Sequence, residues 1–248
     1  MEKTQKKYKY GLIGKNISYS FSRQYFTEKF KNLKLENSEY VNFDLQAIDE
    51  FSKLDFKRIS GFNVTIPYKE QILKFLDTID DEAKEIGAVN TIKITKNDQL
   101  VGYNTDFFGF QESLKPFLKP HHKKALVLGT GGASKAIIFV LKKLNIDYLV
   151  VSRNPVKAQI SYQDIIEEVI NEYTLIINCT PLGTHPDIDE SPNIPYQFIS
   201  SQHLLYDLIY NPKKTTFLSN GEKQGAIICN GLKMLELQAE KAWEIWNL

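Results

Sequence analysis

The chain has 248 residues, of which 42% are hydrophobic and 25% charged, a composition typical of a globular protein with one or two domains. Its 31 basic and 30 acidic side chains leave a formal net charge of +1, which gives no general attraction to nucleic acid or anionic membranes. No apolar run approaches the ~20 residues of a membrane span, and no apolar segment follows the basic N-terminal residues as in a secretion signal. We therefore expect a cytoplasmic protein that acts on a small molecule.

The cysteine and histidine patterns argue against a metal site. Cys179 and Cys229 lie far apart without metal-ligand spacing, so we expect neither a disulfide framework nor a zinc site. His121 and His122 are adjacent in residues 115–124, a segment rich in proline and lysine. We predict that this segment is a solvated connection.

The first hundred residues alternate β-rich runs with helical patterns, which indicates an α/β domain. In chain order the pattern predicts the strand YKYGLIG, a helix from about Ser22, the strand EYVNFDL, a second helix and the strand ISGFNVTIP. A short amphipathic helix is predicted in YKEQILKFL, because Pro67 ends the preceding strand. NTIKI and LVGYN flank Asn97 and Asp98, which predicts a hairpin.

The second half shows a longer series of buried strands. Asp106 stands at the head of a helical pattern that extends through Leu118. After the connection, we predict five or six parallel strands, which begin with ALVLGTGG and continue with YLVVS, TLIINC, HLLYDLI and AIICN. The last segment, 232–246, places Leu235, Ala239, Ala242 and Trp246 on one helical stripe that should pack against a core.

ALVLGTGGASKAIIFVL combines a buried strand, a glycine turn and a helix, the context that a dinucleotide-binding fingerprint requires. Gly129 can form the sharp turn and Gly131 leaves room for a pyrophosphate. The amides near Gly132 and Ala133 offer the positive end of the helix dipole. Ser134 occupies the position of the third glycine, and a purely structural turn is the alternative explanation.

The next strand ends in Ser152, Arg153 and Asn154, where an NAD-binding chain presents an acidic residue to the ribose 2′-hydroxyl. No acid is present there. Arg153 can instead stack on adenine and pair with a 2′-phosphate, and Lys157 adds a second cation, which favours NADP over NAD. The alternative is a solvated surface arginine.

Two ionisable residues stand at junctions between a strand and a helix. Lys69 follows GFNVTIPY, and Asp106 ends GYNTD. A lysine at such a point can donate a proton to a reacting oxygen, and an aspartate can orient an ammonium group. Taken singly, each residue also fits an ordinary function, a solvated lysine and a helix-capping aspartate.

Seven motifs together resemble the shikimate dehydrogenase family and cover nearly the whole chain. They occur in the family's order: GFNVTIPYK, IGAVNT, GYNTD, LGTGGAS, NCTPLG, YDLIYNP and NGLKMLELQA. The resemblance implies NADP(H)-dependent reduction of 3-dehydroshikimate to shikimate, on the pathway to aromatic amino acids.

The resemblance also implies functions for individual residues. Lys69 and Asp106 match the family's catalytic pair. Ser20, Ser22 and Thr65 match residues that bind the substrate carboxylate, while Asn90, Asp106 and Gln238 match contacts to the ring hydroxyls. Asn63 supports that set, and Tyr210 matches a tyrosine that reaches the substrate. Thr180 and Gly231 match positions that line the cofactor pocket, with Gly129, Gly131, Gly132, Ala133, Ser152, Arg153, Asn154 and Lys157 completing the cofactor set. No metal ligand is implied.

The chain departs from the family pattern at four positions. Tyr19 replaces a common histidine, Arg23 a proline, Ser152 an asparagine and Lys233 a glycine. None of these changes removes the proposed chemistry. Arg23 can alter the carboxylate-binding corner, and Ser152 can alter recognition of the adenosine phosphate.

The expected architecture is therefore α/β with two domains. Residues 1–105 plus 232–248 are predicted to form the substrate-binding catalytic domain, and 106–231 a Rossmann NADP-binding domain, with the active site in the cleft. The protein is expected to be a monomer or a homodimer. The alternatives are a quinate/shikimate dehydrogenase that uses NAD, a non-catalytic NADP or metabolite sensor of the same fold, and another two-domain Rossmann enzyme.

Overall fold

The computed structural model describes residues 8–18 and 20–248. The chain separates into two compact units: the first runs to Thr105 and includes Ala239–Leu248, and the second is Asp106–Gln238. The last helix is therefore shared, and its first turns, 232–238, group with the second unit rather than with the first as predicted.

The first unit contains a mixed six-stranded sheet in the order β2-β1-β3-β5-β6-β4. Strand β1 is parallel to both β2 and β3, whereas β5 is antiparallel to β3 and β6, and β4 is parallel to β6. The strands are β1 Tyr8–Gly14, β2 Ser38–Asp44, β3 Ile59–Val64, β4 Thr78–Ile79, β5 Thr91–Ile94 and β6 Leu100–Tyr103, and the α-helices are α1 Phe21–Asn32 and α2 Asp81–Ile86.

Aromatic side chains close one face of this sheet. Phe26 of α1 stacks on Tyr40 of β2 at 4.7 Å between ring centroids, and Trp246 of the last helix lies 5.2 Å from Phe26. The indole N–H of Trp246 donates to the carbonyl of Ile92 at 3.0 Å. A Cβ at Gly61 would lie 2.3 Å from the same indole nitrogen, so glycine is what allows the helix to pack directly on β3.

The second unit contains a fully parallel six-stranded sheet in the order β12-β11-β10-β7-β8-β9. Its strands are β7 Lys124–Leu128, β8 Asp147–Val151, β9 Gln159–Ile160, β10 Leu175–Asn178, β11 Leu204–Asp207 and β12 Ile227–Cys229. Its helices are α3 Asp106–Leu114, α4 Gly132–Lys143, α5 Glu167–Glu172 and α6 Thr216–Lys223, followed by α7 Leu232–Asn247. The prediction of five or six parallel strands is confirmed.

The strand order reverses beside β7, which pairs with β8 on one side and β10 on the other. In open α/β sheets, ligands bind at the carboxyl ends of the strands next to such a reversal. Here the loop after β7 lies close to the loop after β10. A Cβ at Gly129 would be only 3.0 Å from Thr180 Cγ2.

Three predicted helices take a different form. The second helix of the first half is a pair of short 3₁₀ helices, Ile48–Lys53 and Phe56–Arg58, and YKEQILKFL forms a 3₁₀ helix over Gln71–Phe75. The helix expected to reach Leu118 ends as an α-helix at Leu114, and Lys115–Phe117 continues as a 3₁₀ turn. Pro116 accounts for that change, since proline supplies no N–H for the α-helical bond. The hairpin is confirmed, with Asp98 in the left-handed conformation at φ 58°.

Candidate active site

A buried chain of hydrogen bonds joins three predicted elements of the first unit. The hydroxyl of Ser22 bonds to Tyr40, and the Tyr40 hydroxyl donates to Asn63 Oδ1 at 2.7 Å. Burial raises the pKa of Tyr40 above its ordinary value, so the phenol keeps its proton and acts as the donor. Ser22 and Asn63, both predicted substrate-binding residues, are thus linked through a tyrosine.

Asn90 lies at the centre of this polar region. Its backbone carbonyl accepts from Val64 N at 2.8 Å and from Asn63 Nδ2 at 3.4 Å. Its side-chain oxygen accepts from the backbone N–H of Thr105 at 2.7 Å. The structure therefore brings Asn63 and Asn90 together at the end of β3.

Lys69 is half-buried and follows β3 by five residues. Its backbone carbonyl accepts from Val89 N at 2.8 Å, so the lysine backbone lies directly beside the residue that precedes Asn90. The side chain of the preceding residue, Tyr68, is buried and donates to the carbonyl of Leu45 at 2.7 Å. The lysine side chain consequently projects from a fixed backbone.

The predicted carboxylate-binding residues have distinct local functions. Ser20 is the N-cap of α1, and its hydroxyl oxygen accepts from Arg23 N at 3.2 Å, which leaves the hydroxyl proton for another acceptor. Thr65 is half-buried, and its backbone N–H donates to Ile13 at 2.8 Å. Arg23 is exposed, and Tyr19 lies outside the described residues.

Asp106 and Gln238 occur on two helices that approach closely. Asp106 is the first residue of α3 and is buried, and Gly109 follows it by one turn on the same face. A Cβ at Gly109 would lie 2.5 Å from the carbonyl of Met234 and 3.1 Å from Gln238 Cβ. Glycine is therefore required for the contact of α3 with α7 at Gln238.

The glycine turn has the geometry that the fingerprint predicts. Gly129 has φ +103°, which favours glycine, and its N–H donates to Val151 at 2.9 Å. Gly131 is the N-cap of α4, and a Cβ added there would meet nothing within 4 Å. The helix then opens with Gly132 and Ala133. This open space at a helix N-terminus fits a pyrophosphate.

Ser134, at the place of the third glycine, is buried and serves the turn itself. Its hydroxyl donates to the carbonyl of Gly131 at 2.6 Å, and its backbone N–H donates to the same carbonyl at 2.9 Å. The serine hydroxyl is therefore satisfied inside the loop, and the departure from the full fingerprint leaves the turn intact.

The loop after β8 carries the predicted phosphate-binding cations. Arg153, Asn154 and Lys157 are exposed, and the Ser152 hydroxyl accepts from Asn154 N at 3.2 Å. Serine therefore still shapes this turn, although it is shorter than the asparagine common in the family. Burial raises the pKa of the Tyr162 phenol, and the positive charge of Arg153 opposes that rise.

Three further predicted contacts lie on the loops after β10, β11 and β12. Thr180 is half-buried, with its hydroxyl donating to Asn178 Oδ1 at 2.7 Å. Tyr210 is exposed at the rim of its loop. Gly231 N donates to the carbonyl of Ile209 at 3.0 Å, and a Cβ there would lie 2.1 Å from the carbonyl oxygen of Leu208. The close approach of these two loops thus requires glycine.

The prediction for the histidine pair is wrong for His122. The ring is buried, accepts from Lys119 N at 3.0 Å through Nδ1 and contacts the Gln202 carbonyl at 3.2 Å through Nε2. His121 is exposed and bonds to the same carbonyl at 3.0 Å. These contacts depend on a residue 80 positions away, which a local pattern does not reveal. Within residues 8–18 and 20–248, no group of three or more His, Cys, Asp or Glu side chains is arranged for a metal ion.

Several residues that hold the candidate site lie outside the sequence motifs that predicted it. Tyr40, Thr91 and Thr105 join the chain around Asn90, and Asn178 and Asp207 hold the second unit's loops. The detectable pattern for the last two is a polar side chain at the end of an otherwise apolar strand, as in LIIN and LLYD. Buried polar groups of this kind need partners, so they mark a network.

Comparisons with known proteins agree with this geometry. Residues 12–92 match a family model described as the shikimate dehydrogenase substrate binding domain. A relative from Clostridium botulinum named shikimate dehydrogenase (NADP(+)) is 41% identical, with 97% of each chain covered. In the part of the chain that the structure describes, no helix combines the length and apolarity needed to cross a bilayer.

Solved structures show the same fold. A shikimate dehydrogenase from Aquifex aeolicus has a TM-score of 0.87 and 35% identity, covering 97% of this chain and 92% of that one. A shikimate 5-dehydrogenase from Thermus thermophilus, solved with NADP(H) and shikimate, has a TM-score of 0.84 and 32% identity, with coverages of 96% and 92%. The chain belongs to the shikimate dehydrogenase family.

Proposed function

We propose that this protein is an NADP-dependent shikimate dehydrogenase that reversibly reduces 3-dehydroshikimate to shikimate. The observation that carries the proposal is the 41% identity over 97% of the chain to a relative named for that activity. Support from the structure is the clustering of Asn63, Asn90 and the Lys69 backbone at the end of β3. The presence of Lys69 together with Asp106, Asn90 and Gln238 argues against the non-catalytic sensor.

Substrate binding is assigned to Ser20, Ser22, Asn63, Thr65, Asn90, Asp106, Tyr210 and Gln238. We propose that the hydroxyls of Ser20, Ser22 and Thr65 bind the carboxylate, since hydroxyl donors to a charged acceptor give strong hydrogen bonds. Asn90, Asp106 and Gln238 bind the ring hydroxyls. Asn63, whose side-chain oxygen accepts a hydrogen bond from the Tyr40 hydroxyl, supports these substrate contacts.

Cofactor binding is assigned to the second unit. The space beside Gly131 and the amides of Gly132 and Ala133 receive the pyrophosphate, while Arg153 and Lys157 receive the 2′-phosphate. Gly129 forms the sharp turn of the glycine loop, Thr180 lines the cofactor crevice and Gly231 lies beside the nicotinamide pocket. Ser152 and Asn154 shape the loop that carries Arg153.

The chemistry requires a hydride and a proton. The bound NADPH supplies the hydride, whose electron pair forms the new C–H bond while the carbonyl π pair moves to oxygen. The Lys69 ammonium gives its proton to that oxygen, and Asp106 is assigned as the second member of the family's catalytic pair. In the reverse direction, Lys69 takes up the hydroxyl proton.

One set of assays tests this function. Purified protein is incubated with shikimate or quinate, each with NADP or NAD, and the absorbance of the reduced nicotinamide is followed. We expect the highest kcat/KM for shikimate with NADP. Higher kcat/KM for quinate with NAD would support the quinate dehydrogenase alternative, and nucleotide binding without turnover would support the sensor.

We propose a cytoplasmic enzyme, because Cys179 and Cys229 are free thiols, as expected in a reducing compartment. We also propose that the enzyme is a monomer or a homodimer. Gel filtration with light scattering distinguishes these two states.

A further inference from the structure

Asp207, the last residue of β11, is a completely buried carboxylate in the second unit. Within residues 8–18 and 20–248 it forms no ion pair with a lysine, arginine or histidine. It is instead surrounded by three hydrogen-bond donors. Burial of an unpaired carboxylate costs free energy, so its presence at this position needs an explanation.

The three donors come from three different segments. Asn178 Nδ2 donates to Oδ1 of Asp207 at 3.1 Å, and the backbone N–H of Ile209 donates to the same oxygen at 3.0 Å. The hydroxyl of Thr215, the N-cap of α6, donates to Oδ2 at 2.6 Å. An ionised carboxylate, which only accepts, suits three donors on two oxygens.

The bond from Asn178 fixes which way its amide points. Because Nδ2 donates to Asp207, Oδ1 must face the other way, where it accepts from both the backbone N–H and the hydroxyl of Thr180, at 3.0 and 2.7 Å. A reversed amide would point an N–H group at the backbone N–H of Thr180, which can only donate. Asp207 thereby determines the orientation of Thr180, a proposed cofactor contact.

The bond from Ile209 fixes the loop after β11. The N–H of Ile209 donates to Asp207, and its carbonyl accepts from Gly231 at 3.0 Å, so both sides of this residue are held. Tyr210, a proposed substrate contact, is the next residue in the chain. The Asp207 carboxylate therefore bonds both to Asn178, which shortly precedes the proposed cofactor contact Thr180, and to Ile209, which precedes the proposed substrate contact Tyr210.

We infer that Asp207 is a positioning residue for the reaction: it sets Thr180 through Asn178 and Tyr210 through Ile209. The inference rests on the proposed function, which assigns Thr180 and Tyr210 to the site. Asp207 itself is not catalytic. Its loss should weaken the binding of both ligands, whereas loss of Asn178 should affect the cofactor alone.

The test compares three variants by steady-state kinetics, by titration of NADP binding and by thermal unfolding. Asp207→Ala should raise KM for NADP and KM for shikimate by about tenfold each. Asn178→Ala should raise KM and Kd for NADP by about tenfold, while its KM for shikimate should stay near the wild-type value. Tyr206→Phe is the matched control. Tyr206 lies next to Asp207 on β11, and the variant removes its buried hydrogen bond to Ser113 of α3, at 2.6 Å. It should lower the unfolding temperature without changing either KM.

Asp207→Asn provides a rescue, because the introduced amide keeps one acceptor oxygen for Asn178 and Ile209, so its KM values should lie between those of wild type and Asp207→Ala. A folded Asp207→Ala protein with both KM values within about twofold of wild type, less than the effect of a typical hydrogen bond, would overturn the inference. If that variant does not fold, an unchanged NADP Kd in Asn178→Ala overturns it. Failure of the wild type to oxidise shikimate would instead refute the proposed function, and the NADP titration would still decide the effect of Asn178 on Thr180.

Discussion

The side-chain oxygen of Asn90 accepts a hydrogen bond from the backbone N–H of Thr105 at 2.7 Å, and both residues are buried. The amide nitrogen of Asn90 also donates to the Thr105 hydroxyl at 3.1 Å. Thr105 directly precedes Asp106 in the chain. One asparagine thus has two functions, as a proposed substrate contact and as the bond that fixes the residue before a proposed catalytic group.

Asn90→Ala should impair both stability and substrate binding. It removes the acceptor of a buried backbone N–H, which costs about 1–3 kcal/mol of unfolding free energy in urea denaturation. The KM for shikimate should rise at the same time. As a control, Trp246→Phe removes the bond to the Ile92 carbonyl in the same sheet and should affect stability alone. A wild-type shikimate KM in the Asn90 variant would contradict the assignment.

Lys69→Ala should abolish most turnover while leaving the protein folded. The contact that ties this residue to Val89 uses the backbone carbonyl, which the substitution keeps. Loss of a proton donor typically reduces kcat by about 100- to 10,000-fold. NADP affinity should stay near wild type. The matched control is Lys74→Ala, which removes an exposed lysine paired with Asp49 and should leave kcat unchanged. Near wild-type kcat in the Lys69 variant would reject its assignment as the acid.

Gly131→Ala separates a binding effect from a folding effect. The residue has φ −72°, which suits any amino acid, and an added Cβ meets no atom within 4 Å. The unfolding free energy should therefore change by less than about 0.5 kcal/mol. NADP Kd should nevertheless rise, because the methyl group occupies the space proposed for pyrophosphate.

Gly129→Ala is the comparison for that experiment. Its φ of +103° and the 3.0 Å approach to Thr180 predict a loss of about 1–3 kcal/mol of stability. If Gly131→Ala binds NADP as tightly as wild type, the pyrophosphate lies elsewhere.

Arg153→Ala should change cofactor preference. The guanidinium is exposed on the loop after β8, so its removal should not affect folding. Loss of a charge-assisted hydrogen bond of about 1.5–3 kcal/mol corresponds to a rise of roughly 10- to 100-fold in KM for NADP. KM for NAD, which lacks the phosphate, should stay nearly constant. Equal increases for both cofactors would defeat the assignment, and Lys157→Ala should show a smaller effect in the same direction.

His122 should make the protein less stable in mild acid. Burial lowers the pKa of this ring below 6.5, and the nearby His121, Lys119 and His203 oppose a further positive charge. The unfolded chain therefore takes up a proton at a higher pH than the folded protein does. The contribution of His122 to the free energy of unfolding should be fully present above about pH 6.5. It should decrease as the pH is lowered toward the folded-state pKa.

The control for this prediction is His122→Gln. Its amide can accept from Lys119 N and donate to the Gln202 carbonyl without titrating. The free energy of unfolding, measured by urea denaturation across this pH range, should depend less steeply on pH in the variant than in the wild type. The same pH dependence in both proteins would show that another group causes it.

The sequence determined the features that depend on neighbouring residues. The apolar runs predicted the strands β7, β8, β10, β11 and β12, and the glycine spacing predicted the turn at Gly129. The family's motifs identified Lys69 and Asp106 as candidate catalytic residues and predicted NADP as the cofactor. The names of the relatives include the same cofactor. Such features follow from local periodicity and from the backbone freedom of glycine.

Contacts between side chains that are distant in sequence depend on the tertiary fold. Pairing of β1 with both β2 and β3 brings Tyr40 to Asn63, and pairing of β10 with β11 brings Asn178 to Asp207. The burial of His122 likewise depends on Gln202. These contacts arise from strand order and register, which no local pattern contains, and burial then requires each polar group to find a partner.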